Sequence, residues 1–140
     1  MKKFALTNSP ILILESYPEM HAAMRDVLED TGFLVTTAGD LGAALDHLTE
    51  LRPHLLIIAP YINSMPGNVA ADYLRCKCPG LPVMVVAGLM DDDSVRVQNA
   101  IREFHTFPAP FTRDEFLARV REILKCEFDK RQTTDRHLAA

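Results

Sequence analysis

The sequence predicts an α/β fold in which helices cover both faces of a parallel five-stranded sheet. Short apolar runs alternate with segments in which apolar residues recur at helical spacing. Proline, glycine or a helix-capping residue marks most of the boundaries between them. The chain has 140 residues, of which 48% are hydrophobic and 24% charged. That length and composition favour one domain with a core of its own.

The five predicted strands are short runs of apolar, aromatic or β-branched residues. In chain order they cover Ile11 to Leu14, Phe33 to Thr37, Leu55 to Ile58, Val83 to Val86 and, with the weakest pattern, Phe104 to Pro108. The first, third and fourth are uninterrupted apolar runs, which is typical of strands buried on both faces of a parallel sheet.

A predicted helix follows each strand. Pro18 and Gly32 bound the first helix, Asp40 caps the second, and carboxylates at 91–93 favour the start of the fourth. The last helix runs from Phe111 to Leu124. Each helix repeats apolar residues at helical spacing: Met20, Met24, Val27 and Leu28; Leu41, Ala44, Leu45 and Leu48; Val69, Tyr73 and Leu74; Val95, Val97 and Ile101; Phe116, Leu117, Val120, Ile123 and Leu124.

This alternation implies right-handed crossovers and a doubly wound (βα)5 sandwich of three layers. For five strands we expect the flavodoxin-like order 2-1-3-4-5, in which ligands bind at the carboxyl ends of the strands. Functional residues are therefore expected near the ends of the first, third, fourth and fifth strands. The residues at those ends are Glu15, Ala59, Ala87 and Ala109.

Charge and composition exclude several classes of function. Fifteen basic and 19 acidic residues give a net charge of −4, which argues against direct nucleic-acid binding. No apolar stretch reaches the length of a membrane span, and polar residues interrupt the apolar start of the chain, so we expect a cytoplasmic protein. Cys76, Cys78 and Cys126 are expected to be reduced thiols. No nucleophile–base pair or cofactor motif is visible, so neither an enzyme nor a bound cofactor is predicted.

Several segments resemble the receiver domain of response regulators, the CheY-like domain of two-component signal transduction and the phosphorelay. The resemblance covers about residues 8–125 and implies a receiver-like domain at 1–125, followed by a polar tail or linker at 126–140. The matching landmarks are the first strand with an acidic residue and a proline at 11–18, the third strand at 53–59, Met65 and Gly67 in the next loop, the fourth strand at 81–88, and Ala109-Pro110-Phe111.

The family transfers a phosphoryl group from a kinase histidine to an aspartate at the end of the third strand, with Mg²⁺ held mainly by carboxylates. By the resemblance, Ala59 stands at the phosphoacceptor position. Glu15 and Ser16 stand at the metal-binding acidic pair, and Ala87 and Ala109 replace the hydroxyl residue and the lysine that contact the phosphoryl group.

These substitutions indicate a pseudo-receiver, because a methyl group cannot accept a phosphoryl group. Shifting the alignment does not restore an acceptor, since residues 51–71 contain no Asp or Glu. Glu15 stays a weak candidate for holding a cation, and otherwise we expect it to be a solvated acid at the strand end. The family's switch aromatic corresponds to Thr106, with Phe104 or Phe107 as alternatives if the register of the fifth strand differs.

The resemblance also implies a partner surface, because receiver domains commonly meet proteins through the fourth helix, fifth strand and fifth helix. Here that surface would comprise Val95, Arg96, Asn99, Arg102, Phe104, Thr106 and Arg113. Its arginines suit carboxylates on a kinase, an output domain, another signalling protein or a second copy. The expected function is therefore a phosphorylation-independent interaction module. Two alternatives stay open: a ligand sensor with an alanine-lined crevice, and a receiver that uses a non-standard phosphoacceptor.

Overall fold

A computed structural model of the chain describes residues 9–87, 105–108 and 112–125. The strands are β1 (Pro10–Leu14), β2 (Leu34–Ala38), β3 (Leu55–Ile58), β4 (Tyr61–Ile62), β5 (Met65–Pro66), β6 (Val83–Ala87) and β7 (His105–Pro108). The helices are α1 (Pro18–Thr31), α2 (Leu41–His47), α3 (Gly67–Lys77) and α4, which covers residues 113–125. The predicted fourth helix, the tail at 126–140 and Cys126 lie outside the described residues.

The main sheet has five strands in the order β2-β1-β3-β6-β7, and every neighbouring pair is parallel. Counted by these five strands alone, this is the order 2-1-3-4-5, so the sequence prediction is confirmed. The central strand β1 pairs with β2 on one side and β3 on the other, which places Leu14 beside both Ala38 and Ile58.

Two apolar layers enclose this sheet. Alternate residues of β1, β3 and β6 face α2 and α3, where Leu12, Leu56 and Leu74 belong to one buried cluster. The intervening residues face α1 and α4, and Ile13, Ile57 and Phe116 belong to a second cluster. The three-layer sandwich is therefore confirmed by packing on both faces. None of the described helices combines the length and the apolar character that crossing a bilayer requires.

Two predicted boundary signals are confirmed: Gly32 ends α1 and Asp40 caps the start of α2. The strand between them, β2, begins one residue later than predicted. Gly32 ends α1 at a left-handed φ of 105°, and the backbone N–H groups of Gly32 and Phe33 donate to Glu29 and Leu28. This cap holds Phe33 in the turn, so β2 begins at Leu34 instead of Phe33. At α2, Oδ1 of Asp40 accepts a hydrogen bond from Ala43 N at 2.8 Å.

The predicted loop after β3 contains a small antiparallel hairpin, β4–β5, which was not predicted from the sequence. Each strand has only two residues, too few to produce a periodic pattern, and Asn63 adopts a φ of 57° in the turn. The backbone N–H of Gly67 donates to Pro60 O at 2.6 Å and closes the loop. The hairpin therefore returns the chain directly to the start of α3.

Two of the three apolar residues that mark α3 in the sequence are exposed in the structure. Val69 is 38% exposed and Tyr73 is 54% exposed, whereas Leu74 is fully buried. The residues that join Leu74 against the core are small: Gly67, Ala70 and Ala71. Small side chains let the helix approach closely, so α3 packs by its alanine side and turns Val69 and Tyr73 outward.

Helix α4 begins with a capping box, in which the first residue before the helix and the third helical residue exchange hydrogen bonds. Thr112 N donates to Oε1 of Glu115 at 2.9 Å, and Glu115 N donates to Oγ1 of Thr112 at 3.1 Å. The two side chains thus satisfy N–H groups that the first helical turn leaves without helical partners. The motif Thr-x-x-Glu at 112–115 is readable in the sequence and would have placed the helix start after Thr112 instead of at Phe111.

We expect Thr112→Ala to lower the free energy of unfolding by about 1 kcal/mol, the usual cost of losing a threonine N-cap. The measurement is urea denaturation at pH 7, with Thr49→Ala as the control, because Thr49 is an exposed threonine outside the regular helices. Equal losses in the two variants would contradict a specific role for the cap.

The same cap predicts a pH dependence. Hydrogen bonds from the backbone and then the side chain of Thr112 lower the pKa of Glu115 below its ordinary value of 4.5. A lowered carboxyl pKa contributes stability that is present above pH 4.5 and is lost as the pH falls through the folded-state value. Glu115→Gln should therefore narrow the stability difference between pH 6 and pH 3. An unchanged difference would contradict this contribution.

Candidate functional site

The carboxyl ends of β1 and β3 form the centre of the predicted site. Leu14 lies beside Ile58 in the parallel register, and Ala59 N donates to Leu14 O at 3.2 Å. On the other side, Glu15 N donates to Ala38 O at 3.1 Å. These bonds extend the pairing one residue beyond the strands, so Glu15 and Ala59 lie next to each other, as expected from the strand order.

The third predicted position of this edge, Ala87, is the last residue of β6, and its backbone pairs with Pro108 of β7. Because Ile58 pairs with Val85, the end of β6 reaches the same edge as Ala59. Ala109 lies outside the described residues. The fold thus brings Glu15, Ala59 and the backbone of Ala87 to one edge, whereas the roles assigned to them by resemblance stay predictions.

Glu15 is only 4% exposed, so the expectation of a solvated acid is wrong. Oε1 of Glu15 accepts a hydrogen bond from the backbone N–H of Tyr17 at 3.1 Å, and the Glu15 backbone O lies 3.2 Å from Nδ1 of His21. Tyr17 is the N-cap residue of α1. The carboxylate is therefore enclosed because the chain turns from β1 into α1 around it, which strand periodicity alone does not indicate. The neighbouring Ser16 is half-buried.

Ala59 is also enclosed, at 4% exposure, in the cluster that contains Ile58 and Ile62. The start of α3 approaches it closely, because a Cβ built on Gly67 would lie 2.6 Å from the backbone O of Ala59 and 3.0 Å from that of Pro60. Only a glycine fits at this position without a shift of the backbone. The edge at Ala59 therefore presents a methyl group and backbone atoms.

Within the described part of the chain, the carboxylate that lies between the ends of β1 and β3 is that of Glu15. Among residues 9–87, 105–108 and 112–125, no three His, Cys, Asp or Glu side chains come together as a metal-binding group. Mg²⁺ prefers octahedral oxygen coordination, and protein sites for it normally offer one or two carboxylates together with substrate oxygens. Glu15 as a weak cation ligand stays a prediction.

The predicted partner surface lies mostly beyond the described part of the chain, since Val95, Arg96, Asn99, Arg102 and Phe104 fall in 88–104. The backbone of Thr106 pairs with Val85 in the sheet. The exposed Arg113 directs Nη1 to Oδ2 of Asp30 at 3.4 Å, which links the start of α4 to the end of α1. The assignment of Arg113 to a partner surface stays a prediction.

No family model matches the chain. The sequence is similar to two curated mycobacterial proteins. It is 25% identical over 117 residues to the probable transcriptional regulatory protein TcrX of Mycobacterium tuberculosis, which is 82% of this chain and 49% of TcrX. It is 28% identical over 116 residues to the response regulator MprA of Mycobacterium avium, again 82% of this chain and 50% of MprA. The chain thus spans about half the length of these relatives.

The fold is similar to that of the signal receiver domain of an HD domain-containing protein from Pseudomonas fluorescens Pf-5. The TM-score is 0.80 at 17% sequence identity, and the match covers 94% of this chain and 97% of that domain. The match includes nearly the whole of both chains, so the likeness extends over the entire sheet and its helices. The chain is therefore similar in sequence to response-regulator proteins and similar in fold to a receiver domain.

Proposed function

We propose that this chain is a receiver-type signalling module that recognises other proteins without being switched by aspartyl phosphate. The observation that carries the proposal is Ala59 at the end of β3, where the receiver family has its phosphoacceptor. Its side chain has no oxygen to attack a phosphoryl group, and no Asp or Glu occurs anywhere in 51–71.

The surroundings of Ala59 support the same conclusion. The neighbouring carboxylate, Glu15, is buried and accepts the Tyr17 N–H, so using it as a nucleophile would disturb the start of α1. Phosphoryl transfer also requires positive groups and a metal ion around the transferred group. Two positions that carry polar groups in the family are Ala87 and Ala109 in this sequence. We infer that the fold is kept for its surface and not for phosphoryl chemistry.

Recognition would then depend on side chains that contact a partner directly. The residues proposed for this role are those of the predicted fourth helix, the fifth strand and the start of α4: Val95, Arg96, Asn99, Arg102, Phe104, Thr106 and Arg113. Arginine suits such a surface because its planar guanidinium binds carboxylates in a two-pronged geometry. A kinase, an output domain or another signalling protein with an acidic surface is the class of partner that fits.

The test is to incubate the purified chain with acetyl phosphate and Mg²⁺ and to measure its intact mass. We expect no gain of a phosphoryl group, in the parent chain or in the Glu15→Gln variant. An adduct that Glu15→Gln abolishes would overturn the proposal and identify Glu15 as a non-standard acceptor. An adduct that persists in Glu15→Gln would overturn it too, with the acceptor elsewhere in the chain.

A native mass measurement of the same sample addresses the ligand-sensing alternative. The interaction-module proposal predicts the mass of the bare chain. A small molecule that stays bound through purification would contradict that prediction and favour a ligand in the crevice at the strand ends.

A further inference from the structure

The outward side of α3 carries an apolar stripe. Val69 is 38% exposed, Tyr73 is 54% exposed, and Cys76 is exposed with a free thiol. The spacing of four and then three residues places the three side chains on one side of the helix. The buried residues of α3 lie on the opposite side: Gly67, Ala70, Ala71 and Leu74. Within the chain as described, the stripe therefore faces away from the core.

Two opposite charges flank this stripe. Asp72 lies along one edge and Lys77 along the other, and both side chains are exposed. Neither takes part in an ion pair with another described residue, although Arg25, Arg113 and Arg119 all do. The stripe thus has an acidic edge and a basic edge, each available to a charged group from outside the chain.

This pattern is that of a short coiled-coil seam. Taken as a heptad, Val69 is at d, Tyr73 at a and Cys76 at the next d, whereas Asp72 is at g and Lys77 at e. In a parallel pair of helices, a g residue lies beside the e residue five positions later on the partner helix. The step from Asp72 to Lys77 is five residues. We propose that the α3 stripe binds the α3 stripe of a second copy of this chain in a parallel two-fold arrangement.

The charges select this orientation. A parallel two-fold pair brings the acidic edge of each helix against the basic edge of the other, so Asp72 meets Lys77 of the partner copy twice. An antiparallel pair brings like edges together, acidic with acidic and basic with basic, which is unfavourable. The same geometry places the two Cys76 residues opposite each other near the two-fold axis.

The contact involves about two and a half helical turns, at 3.6 residues per turn. It uses none of the residues of the proposed partner surface, so it does not depend on the proposed function. It is small beside the roughly 1,200–2,000 Å² that stable interfaces bury, and we expect weak, reversible association. A disulfide between the two Cys76 residues would trap it, because such a bond forms only when the two Cα atoms lie about 4.4–6.8 Å apart.

The experiment measures the rate of disulfide-linked dimer formation on mild oxidation with diamide. The parent for this test carries Cys78→Ser and Cys126→Ser, which leaves Cys76 as its one thiol. We expect Asp72→Lys and Lys77→Asp each to slow the reaction roughly tenfold, because each converts two attractive pairs into two repulsive ones. The double variant Asp72→Lys/Lys77→Asp restores opposite charges and should restore the parent rate.

Asp26→Lys is the matched control, since it changes the net charge as Asp72→Lys does but lies on α1, across the sheet from α3. It should leave the rate unchanged. A parent that does not cross-link would overturn the proposal. So would a double variant as slow as the single variants, because restored opposite charges would then fail to restore the pairing. An Asp26→Lys variant as slow as Asp72→Lys would overturn it too, because the effect would then not depend on the charges that flank the α3 stripe.

Discussion

Phe116→Ala should lower the free energy of unfolding by about 3–5 kcal/mol, the largest loss that we expect from one side chain of this protein. Phe116 is fully buried on α4 in the cluster that also contains Ile13 and Ile57 of the central strands. Removing the ring takes away its burial and leaves a cavity that the strands cannot move to fill. A loss of this size is a large part of the stability of an ordinary domain.

Urea denaturation of the purified chain measures this loss, with Arg121→Ala as the matched control. Arg121 lies on the same helix with its side chain exposed, so its removal should change stability by no more than about 0.5 kcal/mol. A loss below 1 kcal/mol for Phe116→Ala would contradict the packing of α4 against the sheet. It would also contradict the prediction that the domain extends to residue 125.

Gly67→Ala should cost about 2 kcal/mol, although replacing glycine by alanine in a helix is normally favourable. The added Cβ would lie 2.6 Å from Ala59 O and 3.0 Å from Pro60 O. These are backbone atoms and cannot rotate away, so the chain must shift. The shift would strain the hydrogen bond that Gly67 N donates to Pro60 O. This cost exceeds the roughly 0.4–1 kcal/mol that alanine contributes by restricting the unfolded chain.

Gly42→Ala is the control for this prediction. Gly42 is exposed in α2, and the nearest atom to a Cβ there is Oδ1 of Asp40 at 3.4 Å, which is an ordinary contact. We expect this variant to be about 0.5–1 kcal/mol more stable than the parent, because alanine favours the helix. If both variants gain stability, the close approach of α3 to the end of β3 is wrong.

The strands of the main sheet could be predicted because their apolar runs are strong local signals. Ile11 to Leu14 and Leu55 to Ile58 are fully or almost fully buried, as strands covered on both faces require. The start of α2 followed from Asp40, whose side chain acts on its own neighbours in the sequence. The two-residue strands of the β4–β5 hairpin leave no periodic pattern, and the left-handed φ of 57° at Asn63 was not deduced from a single asparagine in a loop.

The same distinction between predicted and unpredicted features applies to the candidate site. Its location followed from the strand order, and its missing phosphoacceptor followed from the residue at position 59. The burial of Glu15 did not follow, because it depends on the Tyr17 N–H and on the path of the chain into α1. The orientation of α3 did not follow from the sequence either, since helical spacing identifies a face but not which face meets the core.

The amino-acid sequence by itself determined the fold class, the order of the strands and the chemical identity of the residues at their ends. The fold class and strand order depend on patterns among neighbouring residues, and the chemistry at a strand end depends on the side chain at a single position. Both kinds of information are present in the sequence itself. The tertiary structure alone decided that Glu15 is enclosed, that Gly67 touches the end of β3, and that Val69 and Tyr73 face outward. These facts depend on which distant segments pack together, and local propensity carries no information about that packing.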